Sequence, residues 1–302
     1  MIAWCALAVA LAAAQSDGGT PLGAPAPDGP PAPAAPSGPT VTVQPGTAKP
    51  GDPVFIVVQG AKALPSGKLA GRRLHFYRWG DRHEAISALP VEHALGTFPV
   101  VVKVPARRGS PAYALEATVD VVDPNYPKRE LSVDRKFIAP PPEAKEQIAQ
   151  DQEAFKAAWH TPFGPRLFKK SFEWPRQSVV TAAFGDLRMF NGKKKSQHFG
   201  TDLDGSIGEP IEAANDGVVV MVRECFASGN TVIVNHGGGL LTAYFHMSKF
   251  LVKEGDVVKQ GQPLGLVGKT GRVTGPHLHW SIHADGIYVD GQTLMKLEFG
   301  AL

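Results

Sequence analysis

Two histidines one residue apart, His277 and His279 of GPHLHW (275–280), are the densest concentration of chemistry in the chain. In a strand, residues i and i+2 project from one face, whereas in a helix they do not face each other. Gly275-Pro276 punctuates the start of the segment, and Leu278, Trp280 and Ile282 alternate with His277, His279 and Ser281. A strand is therefore predicted, with both imidazoles on one side. QHFGTDLDG (197–205) adds His198 and Asp202. Their separation is twice the strand period, and Gly200 with β-branched Thr201 argues against helix, so they too are expected to share a face of an extended segment. LLTAYFHMS (240–248) adds His246, expected at the end of a strand with Thr242 and Tyr244 on its face.

Nitrogen and carboxylate donors suit zinc, and a catalytic zinc keeps three protein ligands and an open position for water. Two histidines and one carboxylate would leave residual positive charge on the ion. That charge polarises a carbonyl and brings the pKa of a bound water to about 7. The remaining two histidines would serve as general base and as stabiliser of the oxyanion. The residue types leave open which three of the five bind metal. They also leave open a closed structural site, with a fourth histidine in place of water.

The order and spacing of these groups resemble the lysostaphin/LytM-type zinc metallopeptidases, which cleave peptides in bacterial peptidoglycan and share the duplicated hybrid motif fold. The signature of that family is H-x-x-x-D followed far downstream by H-x-H. Here these are His198-Phe199-Gly200-Thr201-Asp202 and His277-Leu278-His279. The linking segments FGDLRMFNG, GEPIEAANDGVVV, GNTVIVNHGGGL, YFHMS, GDVVKQGQPLGLVG and TGRVTGPHLHW fall in the expected order across roughly residues 180–290. The resemblance implies a compact antiparallel β domain holding one Zn2+ per chain. It makes His198, Asp202 and His279 the zinc ligands and His246 and His277 the catalytic histidines. Arg188 and Asn191 match a stretch beside the cleft in relatives, which implies substrate contact. The implied activity is a zinc metalloendopeptidase acting on peptidoglycan peptide cross-links, with a D,D-type cross-link favoured over a glycine bridge. All five motif positions are filled. The alternative is a catalytically silent wall-binding or regulatory protein on the same fold. A latent enzyme, with Asn191 or a loop of the N-terminal domain over the metal's open position, is a further expectation to weigh.

The rest of the chain must position and deliver this site. The reading is mainly β, with an immunoglobulin-like N-terminal β-sandwich expected over 41–138, a helical linker over 139–172 and the metallopeptidase domain over 173–302. Strand-like runs at 40–43, 53–60, 72–79, 98–104, 113–122 and 131–137 are broken by turn signals such as Ser66-Gly67 and Asp123-Pro124-Asn125. EAKEQIAQDQEAFKAAW (143–159) is rich in helix formers, with Ile148, Gln152, Phe155 and Trp159 near one face. Residues 1–15 read as a signal peptide, apolar and too short to span a bilayer, although no Lys or Arg precedes the apolar run. Eight prolines between 21 and 39 make 16–40 a flexible spacer. The expected address is export to the periplasm or cell envelope.

Composition excludes several classes. With 20% charged and 43% hydrophobic residues and a net charge of +3, the chain gives no sign of a nucleic-acid binder or of a stable membrane span. The lysine run 193–195 reads as a solvated loop. Cys5 lies in the leader, so Cys225 has no intramolecular disulfide partner and reads as a small buried hydrophobe. His75, His83, His93, His160, His236 and His283 read as surface or packing residues, with His236 at a hairpin turn. VKEGDVVKQGQPLGLVG (252–268) resembles the hammerhead of lipoyl- or biotinyl-carrier domains. Met295-Lys296 lacks the hairpin context such a carrier lysine needs, and the histidine set would go unexplained.

Overall fold

Apolar alternation builds the N-terminal part. In the computed structural model, which describes residues 38–132, 140–192 and 194–300, nine strands come first. They are β1 (Thr40–Gln44), β2 (Thr47–Ala48), β3 (Pro53–Gln59), β4 (Ser66–Leu69), β5 (Arg72–Leu74), β6 (Tyr77–Trp79), β7 (Arg82–Ala88), β8 (Gly96–Val104) and β9 (Tyr113–Val121). They form two sheets, β1-β3-β7-β6 and β2-β9-β8-β4-β5, which close on a shared core that includes Val54, Ile56, Val58, Ala85, Val100, Val102 and Val119. The signal peptide and most of the proline-rich spacer, read over 1–37, lie outside the described residues, as does most of the strand expected over 131–137. Among the described residues no helix is long and apolar enough to cross a membrane.

β3 is buried on both faces, which is why its sequence, PVFIVVQ, is apolar without interruption. Val54, Ile56 and Val58 face the sandwich core, whereas Phe55 and Val57, with Ile86 and Ala88 of β7, enter a second core shared with the C-terminal part. Each fully buried large side chain there contributes roughly 2–3 kcal/mol. A buried polar cluster joins the same seam. Glu84 of β7 forms an ion pair with Arg166, whose Nε lies 2.9 Å from Oε2, and accepts Arg82 Nε at 2.8 Å, and both guanidinium groups also donate to the carbonyl of Phe299. β7 is not among the strands the sequence marks clearly, because RHEAISA opens on charged residues.

The chain then leaves the sandwich along β10 (Lys128–Leu131), and a short 3-10 turn leads into α1 (Lys145–Trp159). The first strands of the C-terminal part are β11 (Val180–Ala182), β12 (Leu187–Phe190), β13 (Lys194–Gln197), β14 (Thr201–Asp204) and β15 (Pro210–Glu212). Next come β16 (Gly217–Cys225), β17 (Gly229–Gly237), β18 (Leu240–Met247), β19 (Lys249–Phe250), β20 (Val257–Val258) and β21 (Pro263–Leu266). β22 (His277–Ala284), β23 (Ile287–Val289) and a short α2 (Gly291–Leu294) complete it. The main sheet runs β11-β14-β22-β18-β17-β16-β20 with antiparallel neighbours throughout, as the resemblance implied.

β17, β18 and β22 are buried on both faces because the sheet is covered twice. One face packs on the core shared with β3 and β7. Against the other lies α1, with Ala158 buried among Met221, Cys225, Ile233, Leu241 and Ala243. The helix is the predicted one, but its inner face differs. Gln152 is exposed, and Asp151 is buried instead. Its carboxylate accepts Arg223 Nε at 2.8 Å and the Phe226 amide at 2.7 Å, which removes the penalty of burying it.

Candidate metal centre and cleft

Strand pairing sets His279 directly opposite Asp202, and His277 opposite Asp204, in the β14–β22 ladder. The predicted parity of β22 holds: both histidines line one cleft, while Leu278, Trp280 and Ile282 enter the core. His198 arrives differently from the prediction. It precedes β14, in a loop, and does not share an extended segment with Asp202. A bend at Gly200 separates it from β14, and its ring still reaches the carboxylate. Gly200 is required by close approach: a Cβ there would lie 2.5 Å from His279 Nε2.

The three groups converge tightly. His198 Nε2 is 3.0 Å from Asp202 Oδ1 and 3.0 Å from His279 Nδ1, and His279 Nδ1 is 2.6 Å from Asp202 Oδ1. The far side of each ring is already committed. His198 Nδ1 donates to the Ala183 carbonyl at 2.8 Å. His279 Nε2 donates to Ser281 Oγ at 2.9 Å, whose own proton goes to the Phe199 carbonyl at 2.6 Å. The two inward nitrogens therefore present lone pairs, assigned from these acceptors, to a carboxylate oxygen. Three acceptors this close need a cation among them. Neutral imidazole and carboxylate donors of this kind fit zinc, and among the described residues these three are the one group of potential ligands so clustered. Burial opposes ionisation of Asp202; a positive charge at the inward nitrogens, carried as protons on His198 and His279 or as a cation between them, outweighs it and holds the carboxyl far below the usual range.

His246 reaches the cleft by a route that strand parity does not give. Thr242 and Tyr244, expected on its face, point instead into the core. The β17–β18 register shifts between Val232/Tyr244 and Asn230/Met247, so one extra residue is accommodated in β18. His246 sits in this bulge with φ at 64°, in the left-handed region a non-glycine residue seldom adopts. The bulge turns its ring out to lie 5.0 Å from His277 and 6.2 Å from His279, centroid to centroid. His246 Nδ1 donates to the Thr270 carbonyl at 3.0 Å, and His277 Nδ1 to the Gly275 carbonyl at 3.0 Å. Each therefore keeps an Nε2 lone pair. Burial, reinforced by His279 and His277, lowers His246 to about 3, so its ring is neutral at physiological pH.

Arg188 of β12 lines the cleft and places Nη2 3.3 Å from Asp202 Oδ2, so it steadies the carboxylate oxygen that the histidines do not hold. Asn191 is exposed at the β12–β13 turn, with φ at 50°, and is not among the residues lining the cleft. Of the described residues before α1, only Ser132 lines it. Ser281 shares the strand parity of His277 and His279 and is a further member of the site. The supporting role of Phe245 had no sequence signal. Its ring stacks on His279 at 5.2 Å and meets Phe155 of α1 edge-on at 5.9 Å. His236 and His283 pack within the fold. His236 is fully buried one residue before the turn, between the Asp216 carbonyl and Thr242 Oγ1, and His283 stacks on Trp159. Cys225 is buried, and burial pushes its thiol up.

Comparison with known proteins falls on this same region. Residues 196–291 match the model of Peptidase family M23. The peptidoglycan DD-endopeptidase ShyA of Vibrio cholerae is 49% identical over 94 residues, which is 31% of this chain and 22% of that protein. The DD-carboxypeptidase/endopeptidase Mpg of Neisseria meningitidis is 40% identical over 89 residues, 30% of this chain and 20% of that protein. The chain thus spans about a fifth of the length of these curated relatives. A crystal structure of a peptidase M23 from Pseudomonas aeruginosa superimposes with a TM-score of 0.60 at 27% identity, covering 84% of this chain and 95% of that one.

Proposed function

We propose that this chain, whose residues 196–291 form a Peptidase family M23 domain, is a zinc-dependent endopeptidase that hydrolyses peptide cross-links of bacterial peptidoglycan. The observation that carries the proposal is the convergence of His198 Nε2, Asp202 Oδ1 and His279 Nδ1 with both distal ring nitrogens already bonded. These three would hold one zinc per chain. When bound, zinc would supply a polarised scissile carbonyl and a water acidified to a pKa of about 7. His246 and His277 are wired alike, each with Nδ1 on a carbonyl and Nε2 toward the cleft. One ring, protonated at Nε2 from solvent before the reaction, would steady the oxyanion, and the Nε2 of the other would take the proton of the attacking water. The proton then passes to the leaving amine. The names of the relatives favour a D,D cross-link as the bond cut. Export by the apolar leader would deliver the enzyme to its substrate in the periplasm or envelope.

The test uses the full chain, elemental analysis of bound metal and muropeptide products from purified peptidoglycan. Wild type should hold one zinc and release cross-link fragments. His279→Ala should lose both. His246→Ala and His277→Ala should keep the zinc and lose about 10²- to 10⁴-fold in rate. A zinc-loaded wild type that releases no fragment would replace this reading with that of a silent wall-binding protein.

A further inference from the structure

The sandwich carries a groove of its own, of about 560 Å³, on β4, β5 and β8. Lys68, Arg73 and Lys103 line it, and no carboxylate does among the described residues. Strand period explains why the three cations share the outward face. Lys68 is exposed and precedes buried Leu69, Arg73 is exposed and precedes buried Leu74, and Lys103 is exposed between buried Val102 and Val104. Register then brings them together. Lys68 stands directly opposite Arg73 on one side and Val101 on the other, and Lys103 stands opposite Ser66.

Like charges set opposite each other on neighbouring strands are destabilising. Here nothing in the chain offsets them. None of the three side chains makes an ion pair or hydrogen bond with a described residue. Glu116, opposite Val101 on β9, is exposed and does not line the groove. Other cations of the sandwich are engaged: Arg72 donates to the Asp285 carbonyl, Lys62 to the Gly109 carbonyl and Arg78 to the Gly80 carbonyl. The groove also has an apolar part, supplied by Pro99 and half-buried Val101.

We propose that this face of the sandwich is a docking groove for peptidoglycan, in which Lys68, Arg73 and Lys103 receive free carboxylates of the polymer's peptides. The choice of polymer rests on the endopeptidase reading above. Ammonium and guanidinium groups bind carboxylates through charge-assisted hydrogen bonds. Exposed pairs of this kind are weak singly and screened by salt, so three cations around one groove are needed for a useful hold. The sandwich and the histidine-lined cleft belong to one compact body with a shared core. A molecule held by the groove therefore keeps its cleft among the cross-links of the same polymer, at high effective concentration.

The test is co-sedimentation of the full chain, kept metal-free with a chelator so that no bond is cut, with purified peptidoglycan sacculi. The same sacculi with their carboxylates amidated, and vesicles of anionic phospholipid, are the comparisons. Wild type should bind native sacculi about 10-fold more tightly than amidated ones, and added salt should erode the difference. Lys68→Gln/Arg73→Gln/Lys103→Gln should bind native sacculi only as wild type binds amidated ones. Lys169→Gln/Lys170→Gln/Lys253→Gln removes the same charge from exposed sites elsewhere and should bind as wild type does. Equal binding of native and amidated sacculi by wild type, or the same loss in both triple variants, overturns the proposal. Tighter binding to the vesicles than to native sacculi overturns it in favour of a membrane surface. The wild-type comparison stands even if a variant fails to fold. Because no arm depends on cleavage, each of these failures leaves the endopeptidase reading intact, and a zinc-loaded chain that cuts nothing leaves the binding result readable.

Discussion

The histidine-lined cleft and the seam between the two halves are both buried polar clusters, yet they are built on opposite plans. At the seam the cations are part of the chain. Arg82 and Arg166 face Glu84, and their remaining donors reach the Phe299 and Gly300 carbonyls. In the cleft, lone pairs of His198 and His279 meet an Asp202 oxygen with every distal nitrogen already committed. The seam is complete as folded. The cleft, read as a metal site, would be complete only with a cation supplied from outside. A self-compensating cluster locks two bodies together, and one that lacks its counter-charge can bind and work.

The largest test of this contrast removes the seam's anion. Glu84→Gln leaves two guanidinium groups facing each other in a buried site and should cost about 3–5 kcal/mol of stability, read by urea denaturation, with zinc content unchanged in the molecules that fold. A loss under about 1 kcal/mol would mean that the seam is not self-compensating in the sense argued. Acid gives a second, somewhat smaller test, on the sheet between the two regions. Burial lowers His236 to about 4, below its ordinary 6.5. The unfolded chain therefore binds this proton first as pH falls. The stability this group contributes is present above pH 6.5 and is lost toward pH 4, by up to about 3 kcal/mol. Denaturation midpoints at neutral pH and at about pH 4.5 should differ accordingly, and His236→Gln should shrink the difference, whereas Arg82 and Arg166 keep their charge throughout. The smallest effect belongs to the cleft. Ser281→Ala removes the acceptor that orients His279 and should weaken zinc binding about 10- to 100-fold in a chelator competition, with little change in unfolding of the metal-free protein. Unchanged affinity would place the orientation of His279 elsewhere, with Phe245 the next candidate.

Strand period made part of this legible. Alternation placed His277 and His279 on one face, and the same parity contained Ser281. It failed at His246, because a bulge adds one residue and a left-handed φ redirects the ring, and neither leaves a glycine or other marker in LLTAYFHMS. It failed at His198, which lies outside β14 beyond a bend at Gly200 and not in one extended run with Asp202. α1 was legible from its helix formers, but its buried face was not, since Asp151 is apolar in neither composition nor pattern and is buried only because Arg223 and the Phe226 amide are there to meet it. Glu84 was hidden for the same reason. Long-range partners satisfy such groups, and periodicity carries no information about partners eighty residues away.

β10 carries a consequence for modularity. It belongs by sequence to the N-terminal part, yet it pairs in parallel with β12, whose other edge holds β13. Arg129 on β10 also reaches buried Asp186, whose carbonyl receives the His198 amide. A recombination event that exchanged the sandwich at the apparent boundary near residue 138 would carry away a strand beside the cleft and the cation facing Asp186. The heritable unit is therefore not the one that composition delimits. Any foreign module grafted before the C-terminal part would have to bring residues 128–131 with it, or leave an edge of backbone donors and acceptors open to whatever strand arrives first.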